Sequence, residues 1–254
     1  MKIAVPIMLV PDLVEELEID PSGKALDMTW ARLIINEFDE HAIEQAILLK
    51  EKYGGEVTVL AFNSPDVDDI LFNAAAKGAD RLIKLTAGFE DSFNNHTQAR
   101  SFGELLEQLQ PDLVLSGVQA HNDLDGQIGP LLAAYLEYPY LGYVAGVESE
   151  DNRVIAYKEF PGGLTAKMEV ELPAVLGIQA SAEPPRYVAF SRVRQAMKSS
   201  VIDEEELKTF DTGGGPEISK MYQPETAERA LMIEGSVDEI AAKVLRILKE
   251  QGVA

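Results

Sequence analysis

Short, almost wholly apolar runs alternate along the first half of this chain with stretches whose apolar residues recur at helical spacing. Residues 2–8, 57–62, 82–85 and 113–115 are the apolar runs. Between them, residues 39–53 carry Ala42, Ile43, Ala46, Ile47 and Leu49 on one helical face and stop at Gly54-Gly55. Pro65 and Asp66 open a second helical stretch, with Ile70, Leu71, Ala74 and Ala75 inward and Gly78 at its end. Residues 99–109 bring Phe102, Leu105, Leu106 and Leu109 together ahead of Pro111, and residues 126–136 form a fourth helical stretch. A strand that is apolar on both faces must be covered on both, and strands separated by helices of this length return in the same direction. The pattern predicts an α/β fold, a doubly wound and mostly parallel sheet with helices on each side.

Beyond Pro139 the texture changes. Residues 154–158 and 165–172 alternate apolar and polar side chains across Pro161-Gly162-Gly163, which predicts a β-hairpin addition, and residues 173–179 return to the main sheet. Glu183-Pro184-Pro185 then breaks the chain. Residues 188–198 read as a short basic helix on an extended arm, and residues 204–223, with Gly213-Gly214-Gly215-Pro216, read as a wandering segment without a core of its own. Residues 237–251 form a final amphipathic helix, with Ile240, Ala241, Val244, Leu245 and Leu248 on one face. The expected division is an α/β domain over residues 1–180 and a C-terminal arm and helix over residues 181–254 that packs on another chain.

Residues 113–136 say most about chemistry. Leu113, Val114 and Leu115 end in Ser116-Gly117, a polar glycine-spaced loop follows, and Gly126, Gln127, Ile128, Gly129 and Pro130 open a helix. Open parallel sheets hold phosphates on free backbone N–H groups in this strand, loop and helix geometry. Glycines on such a path serve as turn formers as readily as phosphate cradles, and no GxGxxG, P-loop lysine motif or GxSxG is present. Asp123 and Asp125 in the loop can cap the helix or accept from ribose hydroxyls, but they disfavour direct phosphate contact. Phosphate would sit on the N–H groups of residues 126–129. Within Asn36-Glu37-Phe38-Asp39-Glu40, Asp39 reads as the N-cap of the first helix, and Asn36 is placed to hydrogen-bond a ligand.

The rest of the chain supplies little reactive chemistry. The absence of cysteine excludes disulfides, thiolate metal sites and thiol catalysis. His41, His96 and His121 have no metal-ligand spacing, and no Ser-His-Asp set or carboxylate pair stands out, so neither a metal site nor a catalytic residue is assigned. With 22 Lys+Arg against 43 Asp+Glu the formal charge is −21, which repels nucleic acid. The N-terminus turns acidic too soon for a signal peptide, and no run reaches the roughly 18 apolar residues that span a bilayer. A soluble, cytoplasmic protein without direct membrane insertion is expected.

Several blocks, in order along nearly the whole chain, carry a resemblance. They are Val10-Pro11-Asp12; Ile35-Asn36 with Phe38-Asp39-Glu40, Ala42, Glu44 and Ala46; Gly78-Ala79-Asp80-Arg81; and Pro111-Asp112-Leu113-Val114. Gly117 with Gln119-Ala120, Gln127 with Gly129-Pro130, Leu172-Pro173-Ala174-Val175, and Glu183-Pro184-Pro185-Arg186-Tyr187 with Met197-Lys198 complete the set. Together they resemble the beta subunit of electron transfer flavoprotein.

The resemblance implies a fold of the adenine-nucleotide-binding type and a heterodimer with an alpha subunit that carries the redox FAD. It also implies electron transfer from a flavin-containing dehydrogenase to a quinone or ferredoxin-linked acceptor. The beta subunit of that family binds a structural AMP or, in electron-bifurcating members, a second FAD that accepts a hydride from NADH. Whether this chain is a carrier subunit or part of an NADH-oxidising flavoenzyme follows from which of the two it holds. Carried over by position, the nucleotide site falls on Pro6, Asn36, Phe38, Asp39, Phe62, Val118, Gln119, Ala120, Asp123, Asp125, Gly126, Gln127, Ile128 and Gly129. Phe190 matches the apolar residue that inserts into the dehydrogenase partner. The chain departs from the family's usual residues at Met8, Pro161, Gly177 and in the shortened basic run Lys198-Ser199-Ser200.

Overall fold

The computed structural model describes residues 1–86, 94–123, 126–207, 214–224, 230 and 232–253. The chain opens with β1 (Lys2–Ile7), a short antiparallel pair β2 (Leu9–Pro11) and β3 (Leu33–Ile35), and α1 (Glu37–Tyr53). It continues with β4 (Glu56–Phe62), α2 (Val67–Lys77), β5 (Arg81–Thr86), α3 (Asn95–Leu109), β6 (Leu113–Gly117) and α4 (Ile128–Leu136). Then follow β7 (Tyr140–Glu150), β8 (Arg153–Phe160), β9 (Leu164–Glu171), β10 (Ala174–Ile178), α5 (Phe190–Ser199), β11 (Ile202–Glu206) and α6 (Val237–Glu250). Two compact units result, Met1–Ser219 and Lys220–Ala254.

The first unit is built on a nine-stranded sheet in the order β11-β5-β4-β1-β6-β10-β7-β8-β9. Neighbours from β11 to β7 pair parallel, and β7, β8 and β9 pair antiparallel. Alternation of the buried strand residues makes two cores. Val5, Val59 and Leu115 meet Ile43 and Ile47 of α1 and Leu71 of α2 on one face. Leu60, Val114 and Val175 meet Phe102 and Leu106 of α3 and Leu132 of α4 on the other. This double cover is what the uniformly apolar runs require.

Three local findings differ from the sequence reading. Helix α1 begins at Glu37 with Asn36 at its N-cap position, so Asp39 is the third helical residue and caps nothing. Helix α3 begins at Asn95, four residues earlier than the apolar spacing suggested, because the Asn94 side chain accepts the Thr97 N–H at 3.0 Å. Residues 204–206, read as irregular, belong to β11, the outermost strand beside β5. An Ile-Asp-Glu-Glu-Glu strand has little intrinsic β preference. Arg81 and Lys84 on β5 meet it with ion pairs to Asp203 at 3.0 Å and Glu204 at 2.9 Å.

In the second unit, α6 starts from a capping box in which Ser236 and Glu239 satisfy each other's backbone N–H groups. Among the described residues no helix is long and apolar enough to cross a membrane.

Candidate functional site

From β1 the chain winds through α1 to β4 on one side, and from β5 it crosses back through α3 to β6 on the other side of β1. The carboxyl ends of β1 and β6 therefore form the switch point at which open α/β sheets present a crevice. Here β1 stays paired with β4 as far as Ile7, but with β6 only at Ile3 and Ala4. Pro6 lies buried in β1 and has no N–H with which to extend a ladder. The two central strands part above Ala4, and the gap they leave is bridged by a side chain.

That side chain is Asp39. Its carboxylate accepts the Met8 N–H at 2.8 Å and the Gly117 N–H at 2.6 Å, joining the chain just beyond β1 to the last residue of β6. Asp39 is 2% exposed. Burial pushes its carboxyl up to about 7, against the pull of the Met8 and Gly117 N–H groups and the Asn36 side chain, while the charge of Asp123 pushes it further up. Asn36, also buried, donates its side-chain amide to the Gln119 carbonyl at 2.9 Å. Gly117 closes the knot. A Cβ there would lie 2.6 Å from the Asp39 Oδ1, 2.8 Å from the Phe38 Cβ and 2.9 Å from the Asn36 Nδ2. The polar atoms of Asn36 and Asp39 thus shape the loop that follows β6.

The loop folds back on itself. Val118 donates its N–H to the Ile178 carbonyl of β10 at 2.9 Å, and Asp123 donates its own to Ala120 at 2.9 Å. Gly126 has φ +67, and a Cβ there would lie 2.5 Å from the Val118 carbonyl oxygen, so its glycine is needed for both backbone shape and space. Both carboxylate oxygens of Asp123 are engaged. One accepts the Asn95 side-chain amide at the start of α3, and the other accepts the Gln127 N–H at 3.0 Å. Asp123 therefore serves the start of α4, one of the two roles expected of it. First-turn N–H groups have no acceptor within their helix; with Gln127 engaged and Pro130 lacking one, those of Ile128 and Gly129 are the first-turn donors without an acceptor among the described residues.

The structure gathers Pro6, Asn36, Phe38, Asp39, Val118, Gln119, Ala120, Asp123, Gly126, Gln127, Ile128 and Gly129 around the carboxyl ends of β1 and β6. Phe62, at the end of β4, packs on Phe102 with ring centroids 4.3 Å apart and planes tilted by 46°, and shares its apolar cluster with Ile128. Asp125 lies outside the described residues. Phe190 stands elsewhere in the unit. It is 66% exposed at the start of α5 and lines a groove of about 460 Å³ with Asp69, Asn73, Tyr187, Val188, Val193 and Met197. The segment leading to it is pinned by Arg186, whose guanidinium pairs with Glu44 at 2.8 Å and Glu51 at 2.6 Å on α1. Glu44 is 2% exposed, and Arg186 also gives it a backbone N–H at 2.9 Å.

Three participants were not singled out from the sequence: Asn95, which holds Asp123; Ser116, the buried hydroxyl before Gly117; and Tyr140, at the start of β7. The paired asparagines 94 and 95 ahead of an apolar helix were a legible start signal. Nothing local marks Tyr140, and Ser116 was legible only as the end of the apolar run before the loop.

The unit is an open α/β structure whose crevice is lined by backbone donors and by carboxylates already engaged with their own chain. The family model described as Electron transfer flavoprotein domain matches residues 28–209. The chain is 31% identical to the electron transfer flavoprotein subunit beta of Methylophilus methylotrophus, covering 98% of each chain. It is 30% identical to the protein of the same name from Clostridium acetobutylicum, covering 99% of each. It is 27% identical to the caffeyl-CoA reductase-Etf complex subunit CarD of Acetobacterium woodii over the full length of both. This chain belongs to the electron transfer flavoprotein family, on its beta-subunit side.

Proposed function

We propose that this chain pairs with an alpha subunit carrying the redox FAD and itself holds an adenine nucleotide in the crevice between β1 and β6. The observation that carries this reading is the pair of segments 118–123 and 126–129, tied to α1 through Asn36 and to the start of α4 through Asp123, which present backbone N–H groups at the crevice. The residues fit an adenylate. The Ile128 and Gly129 N–H groups suit a phosphate, and among the described residues the acids Asp39 and Asp123 already have their oxygens engaged by donors of this chain. Flavin bound in such a heterodimer supplies the redox chemistry. The residues of this chain orient, bury and position. Phe190, exposed on a pinned arm, is the side chain we assign to a flavin-containing dehydrogenase partner.

A second reading has a specific support. One relative is named as a subunit of a caffeyl-CoA reductase-Etf complex and another as the electron transfer subunit gamma of an acryloyl-CoA reductase. In this reading the crevice holds a second FAD and the heterodimer oxidises NADH. The test is to co-express the chain with its alpha partner, purify the complex, and quantify released flavin and AMP. One FAD with one AMP supports the carrier, two FAD support the second reading, and a complex with no adenine nucleotide beyond the alpha subunit's FAD sinks both.

A further inference from the structure

The phenol of Tyr140 occupies space that exists because three positions on three different elements are glycine. A Cβ at Gly129 in α4 would lie 2.8 Å from the Tyr140 ring and 3.1 Å from its Oη. One at Gly142 in β7 would lie 2.7 Å from the Oη, and one at Gly177 in β10 would lie 2.5 Å from it. The Ser116 Oγ, in β6, is 3.2 Å from that same Gly129 position. Ser116 is 2% exposed and its hydroxyl has no hydrogen-bond partner among the described residues. No hydrogen bond to the half-buried Tyr140 hydroxyl is found among them either. Two hydroxyls thus converge under the first turn of α4 with no acceptor among the described residues.

A buried hydroxyl left unpaired is costly, and native interiors rarely keep one unless a water, an ion or a ligand supplies its partner. Both hydroxyls can donate, the Ile128 and Gly129 N–H groups donate only, and Asp123, whose charge is felt at Tyr140, is engaged by Asn95 and Gln127. The missing partner is therefore an acceptor, and the positive end of α4 favours one that carries negative charge. Burial pushes the Tyr140 phenol up to about 12, with the charges of Tyr143 and Asp123 adding to the effect, so it keeps its proton at neutral pH.

We propose that Tyr140 and Ser116 form a two-hydroxyl subsite that takes a phosphate oxygen of the nucleotide at the start of α4. The subsite rests on the nucleotide reading above and adds two side-chain donors to the backbone ones. Tyr140 is then a specificity-determining residue: it rewards the phosphorylated ligand over the bare nucleoside.

The test is calorimetric titration of the heterodimer, freed of its bound adenylate, with AMP (or FAD, whichever the cofactor count returns) and with adenosine. Tyr140→Phe keeps the ring and removes only the donor. It should weaken AMP about tenfold, the scale of one hydrogen bond to a charged group, and leave adenosine unchanged. Ser116→Ala should weaken AMP likewise while the nucleotide-free protein unfolds at the same temperature or higher, because an unpaired hydroxyl has gone. AMP affinity unchanged in both variants, or adenosine weakened in parallel with AMP, overturns the subsite while the nucleotide reading stands. A wild-type heterodimer that takes up neither ligand overturns both.

Discussion

The Asp39 carboxylate accepts the Gly117 N–H at 2.6 Å across 78 residues of sequence, and its second oxygen accepts the Met8 N–H at 2.8 Å. One side chain on the first turn of α1 therefore replaces the backbone ladder that β1 and β6 lack above Ala4. The crevice is opened by a proline and held at a set width by a carboxylate.

Acidity should report on that carboxylate. Burial lifts Asp39 from its ordinary 3.8 to about 7, so between these values the folded chain binds a proton that the unfolded chain has released. With fewer protons on the unfolded state, stability falls as pH rises through that window and levels off above it. The upper limit of this contribution is on the order of 4 kcal/mol, about 1.4 kcal/mol per pH unit. Denaturant midpoints at pH 5 and pH 8 should differ in that direction for the wild type and less for Asp39→Asn. Equal differences in the two proteins would assign the pH dependence to other groups.

Gly117→Ala should damage the same knot from the other side. Its Cβ would lie under 3.0 Å from Asp39, Phe38 and Asn36, and Asp39 and Asn36 are both buried. A loss of about 1–3 kcal/mol is expected for overpacking of this kind, read as a lower thermal midpoint. Nucleotide affinity should fall with it, since Asn36 anchors the Gln119 carbonyl at the start of the loop. An alanine variant with wild-type midpoint and affinity would show that the contact relaxes freely.

Arg186→Met tests how the arm is fixed. The substitution keeps much of the side-chain bulk but leaves Glu44 buried without its cation. Breaking a buried pair in this way costs about 3 kcal/mol, and Glu44→Gln added to the same protein should restore part of it. Proteolysis within residues 181–188 should quicken in the single variant and slow again in the double one. Arg186→Lys should not rescue, because one ammonium lacks the planar fork that meets both Glu44 and Glu51.

Phe190→Ala separates partner recognition from folding. At 66% exposure the ring contributes little to the unit itself, and the unfolding midpoint should move by no more than about 0.5 kcal/mol equivalent. Electron transfer from the dehydrogenase partner should drop by about tenfold or more, as for an anchor residue at an interface. A stable variant with undiminished transfer would remove Phe190 from the interface.

Much of the architecture was legible beforehand. Residues 113–115 are apolar at every position and residues 57–62 at all but Thr58, and such runs have one common use, a strand covered on both faces. The crevice was legible in outline from Ser116-Gly117 and the glycines that follow. The parts misread were those whose partners are remote. Asp39 looks like a cap because acids near a helix start usually are caps; its actual donors, the Met8 and Gly117 N–H groups, are brought to it by strand order. Strand β11 reads as irregular because its acids oppose strand formation until Arg81 and Lys84 lie beside them.

Periodicity and punctuation along the chain determined the layers and the direction of the strands, and ordered blocks of residues carried the resemblance to the family. These signals are local: they depend on a residue and its neighbours within a turn or two. Tertiary structure alone decided which carboxylates are engaged and which donors are left over, and that three glycines from α4, β7 and β10 share one side chain, Tyr140. Hydrogen bonds and close approach depend on distances set by how the sheet is wound, and a one-dimensional pattern does not carry those distances.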